Sequence, residues 1–310
     1  MKKKLGICLS GGGTRGIAHI GVLKALEENG IIPEYISGAS AGALVGSLYA
    51  AEYSPAEILE IFKESSLAKL FKLTIPTGGL IDNSYIDDML MEYIPDDSFE
   101  GLKKQLFISI TNLSKGYSEV VGKGPLHEVV VTSTSIPILF NYREINGDIY
   151  ADGGVLNNLP IEPLEKECDV IIGVNVSPIS KIDEFSGIMD VAYRTLDLAM
   201  WSNVSSRLNR CDIVIEPNAE NYGYFELKKA DEIFEEGYKA TIEKIPAILK
   251  LVDPSTDYVN PSRNRFSEQE EQEQREKEEK RKNFWRRMRT SFLGVFGKNE
   301  EGDGTDSSSS

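Results

Sequence analysis

Residues 35–51, YISGASAGALVGSLYAA, join a short apolar run to a helix-like run through a turn of small residues. The turn, GASAG at positions 38–42, matches the pattern G-x-S-x-G with Ser40 at its centre. In a nucleophile elbow, a sharp strand-to-helix turn exposes the serine hydroxyl at the helix N-terminus, and Gly38 and Gly42 leave room for it. This context favours a nucleophilic serine over the competing interpretation, a Gly/Ser-rich packing helix that matches by chance.

The alternation of apolar runs and helix-like segments continues along the chain and predicts the fold class. Five apolar runs are typical of strands buried on both faces: residues 5–10, 35–38, 106–113, 170–177 and 212–217. Helices are predicted within residues 14–30, 54–66, 183–210 and 226–252. Ser54 and Glu57 form a capping-box pattern at the start of the second helix. Alternating strands and helices predict a three-layer α/β/α fold with a mostly parallel central sheet.

Composition and charge exclude several classes of protein. The chain has 310 residues and a net charge of −15, and residues 1–253 hold 23 basic against 37 acidic residues, a net charge of −14. An acidic body argues against nucleic-acid binding, which needs a basic face. The three cysteines, Cys8, Cys168 and Cys211, lack C-x-x-C spacing and suit a reducing compartment. The apolar run after MKKK is too short for a signal peptide, so we expect a cytoplasmic protein.

A glycine-rich loop, LSGGGTRG, occupies residues 9–16 between an apolar run and a helix-like one. Gly11, Gly13 and Gly16 satisfy the spacing G-x-G-x-x-G of a dinucleotide-binding turn. The same backbone N–H groups at a helix N-terminus can hold either a cofactor phosphate or the oxyanion of an acyl-transfer reaction. A dinucleotide-binding fold needs an acidic residue at the end of the second strand, and the nearest candidate, Glu34, precedes that strand.

A nucleophilic serine needs a base, and the chain offers few histidines. His19 lies in the helix after the glycine loop, and His127 has no distinguishing neighbours, so a His-assisted triad is poorly supported. The alternative is a carboxylate, Asp152, which follows an apolar strand end and precedes Gly153 and Gly154. Taken alone, Asp-Gly-Gly is a common turn, and that interpretation stays open at this point.

Three motifs in order make the sequence recognisable. They are GGGTRG, GASAG and DGG, supported by HIGVLKALEENGI after the loop, STSIPILF before the aspartate and GGVLNNLPI after it. Together they resemble the patatin-like phospholipase family over about residues 5–250. The resemblance implies a serine acyl hydrolase of phospholipase A, lysophospholipase or esterase type, with no metal and no cofactor.

The same resemblance implies the roles of the site residues. Ser40 is the expected nucleophile and Asp152 the expected general base, so that a Ser–Asp dyad replaces a triad and forms an acyl-enzyme. The glycine loop, chiefly Gly11, Gly12 and Gly13, is the expected oxyanion hole. A catalytically silent lipid-binding module on the same fold is the remaining alternative, since a fold does not guarantee an activity.

Three polar residues of these motifs have two interpretations each. Arg15, the one cation of the glycine loop, either faces the substrate phosphate or the oxyanion, or fixes the loop to the body through a salt bridge. Asn157 and Asn158 either orient the Asp152 loop or form a turn or cap before the next helix.

The composition changes after Asp253. We expect a catalytic domain over residues 1–253, a charged linker over 254–279, a basic amphipathic segment over 280–298 and a disordered acidic and serine-rich tail over 299–310. Residues 280–298 contain seven basic residues and no acidic one. Six apolar residues there fall within about 120° of a helical wheel: Phe284, Trp285, Met288, Phe292, Val295 and Phe296. The pattern predicts an interfacial helix on the inner face of an anionic membrane. The alternatives are a helix docking on the acidic body or a disordered basic segment.

Overall fold

One mixed sheet organises the chain. The computed structural model describes residues 3–64, 83–179, 181, 185–223 and 226–253. The sheet is built from β1 (Leu5–Leu9), β2 (Tyr35–Gly38), β3 (Gln105–Asn112), β4 (Tyr117–Val121), β5 (Arg143–Ile145), β6 (Asp148–Asp152), β7 (Val170–Val174) and β8 (Ile213–Ile215). Their order is β5-β6-β3-β2-β1-β7-β8, and β4 pairs with β3 outside this path.

Helices flank the sheet. They are α1 (Ile17–Glu28), α2 (Ala41–Ala50), α3 (Pro55–Glu64), α4 (Ser84–Tyr93), α5 (His127–Ser133), α6 (Gly154–Asn157), α7 (Leu164–Glu167), α8 (Ile188–Leu208), α9 (Ala230–Ile242) and α10 (Ile245–Val252). Short 3₁₀ turns precede α1 and α9, at Gly13–Gly16 and Leu227–Lys229. Among the described residues, no helix is both long enough and apolar enough to cross a bilayer.

The predicted α/β class is confirmed, with two differences in detail. All five predicted strands form, and these five, β3, β2, β1, β7 and β8, run parallel to one another. The pairs β3–β4, β3–β6 and β5–β6 are antiparallel, so the sheet is mixed at one edge. The helix predicted over residues 226–252 is two helices, because Pro246 lacks an N–H and starts α10.

The start of helix α3 has the hydrogen bonds that its sequence predicts. The Ser54 N–H donates to Glu57 Oε2 at 2.8 Å, and the Glu57 N–H donates to Ser54 Oγ at 3.3 Å. This reciprocal pair is the capping box that the sequence predicts at the start of α3.

Two strands meet end to end along one edge of β3, and this junction positions the site. Gly38 at the end of β2 pairs with Ile108, while Asp152 at the end of β6 pairs with Ile110. β4 occupies the opposite edge of β3, since it pairs with both of those isoleucines. Because β2 is parallel and β6 antiparallel to β3, their carboxyl ends approach each other, two β3 residues apart.

The predicted segments beyond Asp253, including residues 280–298, lie outside the described residues.

Candidate active site

Ser40 occupies a strained turn between β2 and α2. Its backbone has φ 52° and ψ −123°, a conformation that a residue with a side chain rarely adopts. Close backbone contacts require glycine at positions 38 and 42. A Cβ on Gly38 would lie 2.6 Å from the carbonyl carbon of Gly42. A Cβ on Gly42 would overlap the carbonyl oxygen of Leu9 in β1. The strand, turn and helix predicted around the serine are therefore present.

The Ser133 hydroxyl ties the elbow to the sheet. The Ser40 N–H donates to Ser133 Oγ at 2.9 Å, and the Ser133 hydroxyl donates to the Ser109 carbonyl at 2.7 Å. Ser133 ends α5, and Ser109 is the β3 residue between the two strand ends. Ser40 is only 3% exposed, so the hydroxyl lies within the fold rather than on its surface.

Asp152 lies at the end of β6, where the strand junction brings it beside Ser40. The side chain is 1% exposed, and Oδ1 accepts a hydrogen bond from the Gly154 N–H at 2.7 Å. The Ser40 hydroxyl is close enough to lower the carboxyl pKa, although Oδ2 makes no hydrogen bond of normal geometry among the described residues. The two groups are thus adjacent without a fully formed bond, as is common in unliganded sites.

Burial decides the acidity of Asp152. Desolvation raises its pKa to about 7, against the lowering effect of hydrogen bonds from Ser40 and Gly154. The net direction depends on how completely the fold removes this carboxyl from water. A carboxylate with a pKa of about 7 is a far better proton acceptor than an ordinary aspartate with a pKa of about 3.9.

The glycine loop approaches the site but differs from the predicted three-donor arrangement. The Gly11 N–H donates to Asn158 Oδ1 at 2.9 Å, so an oxyanion would have to compete with this bond. The N–H groups of Gly12 and Gly13 donate to no protein acceptor in the described part of the chain. Gly13 has φ +58° and begins the 3₁₀ turn that leads into α1. Gly12 and Gly13 therefore remain as candidate oxyanion donors, whereas Gly11 fastens the loop.

Asn158 connects the glycine loop to the Asp152 turn. Its Oδ1 atom accepts from Gly11, and a Cβ on Gly154 would lie 2.6 Å from that oxygen. Asn157 bonds in another direction, through Nδ2 to Glu162 Oε2 at 3.0 Å. Of the two interpretations of this pair, Asn158 thus fits the orienting one.

Asn203, on α8, supports the same turn and was not found from the sequence. Its Oδ1 accepts from the Asn158 N–H at 2.8 Å, while its Nδ2 donates to the Gly154 carbonyl at 3.1 Å. The residue lies 45 positions away from Asn158, in the middle of a long helix. No local pattern marks it, since the contact depends on how α8 packs against α6.

Both histidines are engaged away from Ser40. His19 is fully buried, its Nε2 lies 2.7 Å from the Ser10 carbonyl, and burial lowers its pKa to about 4. His127 Nε2 lies 2.8 Å from the Ile94 carbonyl, and Nδ1 lies 3.9 Å from Asp97. A carbonyl accepts only a donated proton, so in each ring the nitrogen facing it is protonated.

Arg15 contacts the body of the protein. Its Nε donates to the Tyr222 carbonyl at 2.7 Å, in the segment between β8 and α9. This contact fixes the glycine loop to a distant part of the chain, as the structural interpretation of Arg15 expects, although the partner in this bond is a carbonyl oxygen and not the carboxylate of a salt bridge.

Comparison with known proteins gives this constellation a family. The family model described as "Patatin-like phospholipase" matches residues 7–165, which include the glycine loop, Ser40 and Asp152. The chain belongs to the patatin-like phospholipase family. The recognition made from three ordered motifs is confirmed.

Curated relatives agree with this assignment, and a solved structure shares the fold. The chain is 27% identical over 267 residues to "Lysophospholipase NTE1" of Kluyveromyces lactis, covering 76% of this chain and 18% of that protein. It is 29% identical over 283 residues to the protein of the same name in Aspergillus fumigatus, covering 78% and 18%. The chain thus spans about a fifth of these relatives' length. The fold matches VipD from Legionella pneumophila with a TM-score of 0.52 and 19% identity, covering 80% of this chain and 67% of VipD.

Proposed function

We propose that this protein hydrolyses acyl esters of phospholipids, and of lysophospholipids in particular, through a dyad of Ser40 and Asp152. The observation that carries the proposal is the junction of β2 and β6 on one edge of β3, which sets a strained serine beside a buried carboxylate. The proposed preference for lysophospholipids rests on the relatives that are named lysophospholipase NTE1.

In the first half of the reaction, the ionised Asp152 takes the Ser40 proton as Oγ attacks the ester carbonyl. The resulting tetrahedral oxyanion accepts hydrogen bonds from the backbone N–H groups of Gly12 and Gly13. Losing one such donor raises the barrier by about 2.7–4 kcal/mol in comparable enzymes. Asp152 then protonates the leaving alcohol oxygen as the ester C–O bond breaks, which leaves an acyl group on Ser40.

In the second half, Asp152 takes a proton from water as its oxygen attacks the acyl carbonyl. The same two N–H groups hold the second oxyanion, and collapse releases the fatty acid. The proton on Asp152 returns to Ser40 Oγ, which restores the starting state. This chain's own side chains and backbone suffice for every proton transfer in the scheme.

The two alternatives have less support. A dinucleotide-binding fold needs an acidic residue at the end of its second strand to bind the ribose, and the nearest candidate, Glu34, precedes β2 instead. A silent lipid-binding module would have no need for a strained serine beside a carboxylate whose pKa is raised to about 7.

A covalent probe tests the dyad. We expect a fluorophosphonate to label the wild-type protein. The control variant Ser47→Ala should be labelled equally, because the Ser47 hydroxyl only donates to the Ala43 carbonyl within α2. Ser40→Ala should not be labelled, and Asp152→Asn should be labelled far more slowly. Turnover of lysophosphatidylcholine, phosphatidylcholine and a soluble p-nitrophenyl ester then ranks the substrates. Equal labelling of wild type and Ser40→Ala, or tight NAD binding, would refute the proposal.

We also propose that residues 280–298 attach the protein peripherally to the inner face of the cytoplasmic membrane. The support is the seven basic residues beside an apolar stripe in that segment. Deleting 280–298 should weaken binding to anionic vesicles at low salt and leave turnover of a soluble ester in place. Unchanged vesicle binding would overturn this part of the proposal.

A further inference from the structure

Exposed apolar side chains are concentrated around Asp152. Most of the large exposed hydrophobic residues in the described chain belong to three segments: residues 136–142, helix α6, and residues 185–201 at and within α8. Ile188 is the most exposed of them, at 84%. We call the following six the apolar rim: Ile138, Leu156, Ile188, Val191, Leu198 and Trp201.

The three segments adjoin the catalytic carboxylate and one another. The Asp152 N–H donates to the Ser135 carbonyl at 2.9 Å, directly before the first segment. Helix α6 begins two residues after Asp152, and Asn203 of α8 bonds its first carbonyl, that of Gly154. Leu139 and Phe140 of the first segment form a buried cluster to which Tyr193 of α8 packs.

The first segment is held in a costly conformation. Ile138 has φ +77°, and a β-branched residue in the left-handed region is a genuine outlier, while its side chain is 42% exposed. The Leu139 and Phe140 side chains beside it are buried, so their packing maintains the strain. Strain of this kind concentrates at functional sites. Here it presents an isoleucine to solvent, where burial against a partner would stabilise it.

Charge selects the kind of partner. Residues 1–253 have a net charge of −14, so an acidic protein surface or an anionic lipid repels this part of the chain at long range, and attraction to anionic lipid is left to the basic residues of 280–298. An apolar surface with a tryptophan at its margin suits the boundary between headgroups and acyl chains of a bilayer. A zwitterionic lipid surface satisfies both conditions.

We propose that the apolar rim docks on the surface of a zwitterionic phospholipid bilayer and brings the acyl ester to Ser40. The inference rests on the proposed hydrolase function, because the segments that carry the rim adjoin the Asp152 turn. It is separate from the basic segment at 280–298, which would act on anionic lipid through charge. The rim contact should therefore persist in high salt, where charge attraction is screened.

Vesicle binding without turnover tests this surface. The full-length Ser40→Ala protein is mixed with phosphatidylcholine vesicles in 0.5 M NaCl, and the bound fraction is measured by sedimentation. Adding Ile188→Asp with Val191→Asp should lower the partition coefficient at least tenfold, because two exposed apolar side chains lose their burial in lipid. The matched control, Met91→Asp with Ile32→Asp, makes the same two changes at exposed apolar residues outside the rim and should leave it within twofold. Thermal unfolding of each variant checks that it is folded.

The outcomes separate the two proposals. Equal partition of the rim variant and the Met91 control would overturn the rim proposal, while fluorophosphonate labelling of wild type would still support the hydrolase. Absence of labelling would refute the hydrolase, whichever vesicle result was found. A rim variant that alters only the oligomeric state in size-exclusion chromatography would assign the surface to a second copy of the chain and overturn the lipid assignment.

Discussion

The two proposed catalytic residues, Ser40 and Asp152, are held by different means. Ser40 is set by its own backbone, a strained turn between β2 and α2 whose glycine neighbours lie in backbone contact. Asp152 is set by side chains from elsewhere, since Asn158 and Asn203 fasten the turn that follows it to the glycine loop and to α8. The elbow is therefore a local structure, whereas the aspartate turn depends on the packing of distant elements.

The largest effect is expected where the two residues act together. Ser40→Ala and Asp152→Asn should each lower kcat for lysophosphatidylcholine by about 10³–10⁴-fold, since residues of a catalytic unit fail as a unit. The double variant should be scarcely slower than either single one. Steady-state kinetics on the three proteins measures this, and multiplicative losses would contradict a shared step.

The elbow should be intolerant of a single methyl group. Gly42→Ala places a Cβ on the Leu9 carbonyl, which the central strand β1 cannot move away. We expect a loss of stability of about 2–4 kcal/mol together with loss of activity. Denaturant unfolding measures it, with Gly116→Ala as a control for a glycine that meets no neighbour but has φ +73°. A Gly42→Ala protein as stable as that control would refute the local account.

The aspartate turn should lose rate before it loses structure. Asn158→Ala removes the acceptor of the Gly11 N–H, and we expect a 10–100-fold loss in kcat with little change in KM. Asn158→Asp keeps an acceptor but adds a charge near Asp152, so it should raise the midpoint of the pH profile. Asn157→Ala, whose amide bonds to Glu162, is the matched control. An effect on KM alone would point to substrate binding instead.

A smaller effect is expected at the elbow's anchor. Ser133→Ala removes the hydroxyl that accepts from the Ser40 N–H and donates to the Ser109 carbonyl. Because the strained turn is also fixed by its glycines, we expect a loss in kcat of only about 3–10-fold, or about 1 kcal/mol. Ser133→Thr, which keeps the hydroxyl, should restore part of it. A loss as large as that of Asn158→Ala would show that the elbow too depends on distant contacts.

The same contrast explains what the sequence could predict. The elbow was readable because its strand, turn and helix are contiguous over residues 35–51. Strands β4 and β5 were missed, since their residues are largely half-exposed and carry no apolar run. The Gly11–Asn158 bond spans 147 positions, so the glycine loop was expected to offer three free donors. The direction of the Asp152 pKa shift depends on burial, which a sequence does not contain, whereas Pro246 does mark the break between α9 and α10 in the sequence.

The pH dependence of Ser40 acylation tests the central claim most directly. If Asp152 is the base, the rate of fluorophosphonate labelling should rise with pH to a plateau with a midpoint of about 7, the pKa to which burial raises this carboxyl. Asp152→Asn should abolish that limb and leave a slow residual rate. A midpoint near 4 in the wild type, or a limb at about 7 that survives in Asp152→Asn, would contradict the assignment of Asp152 as the base.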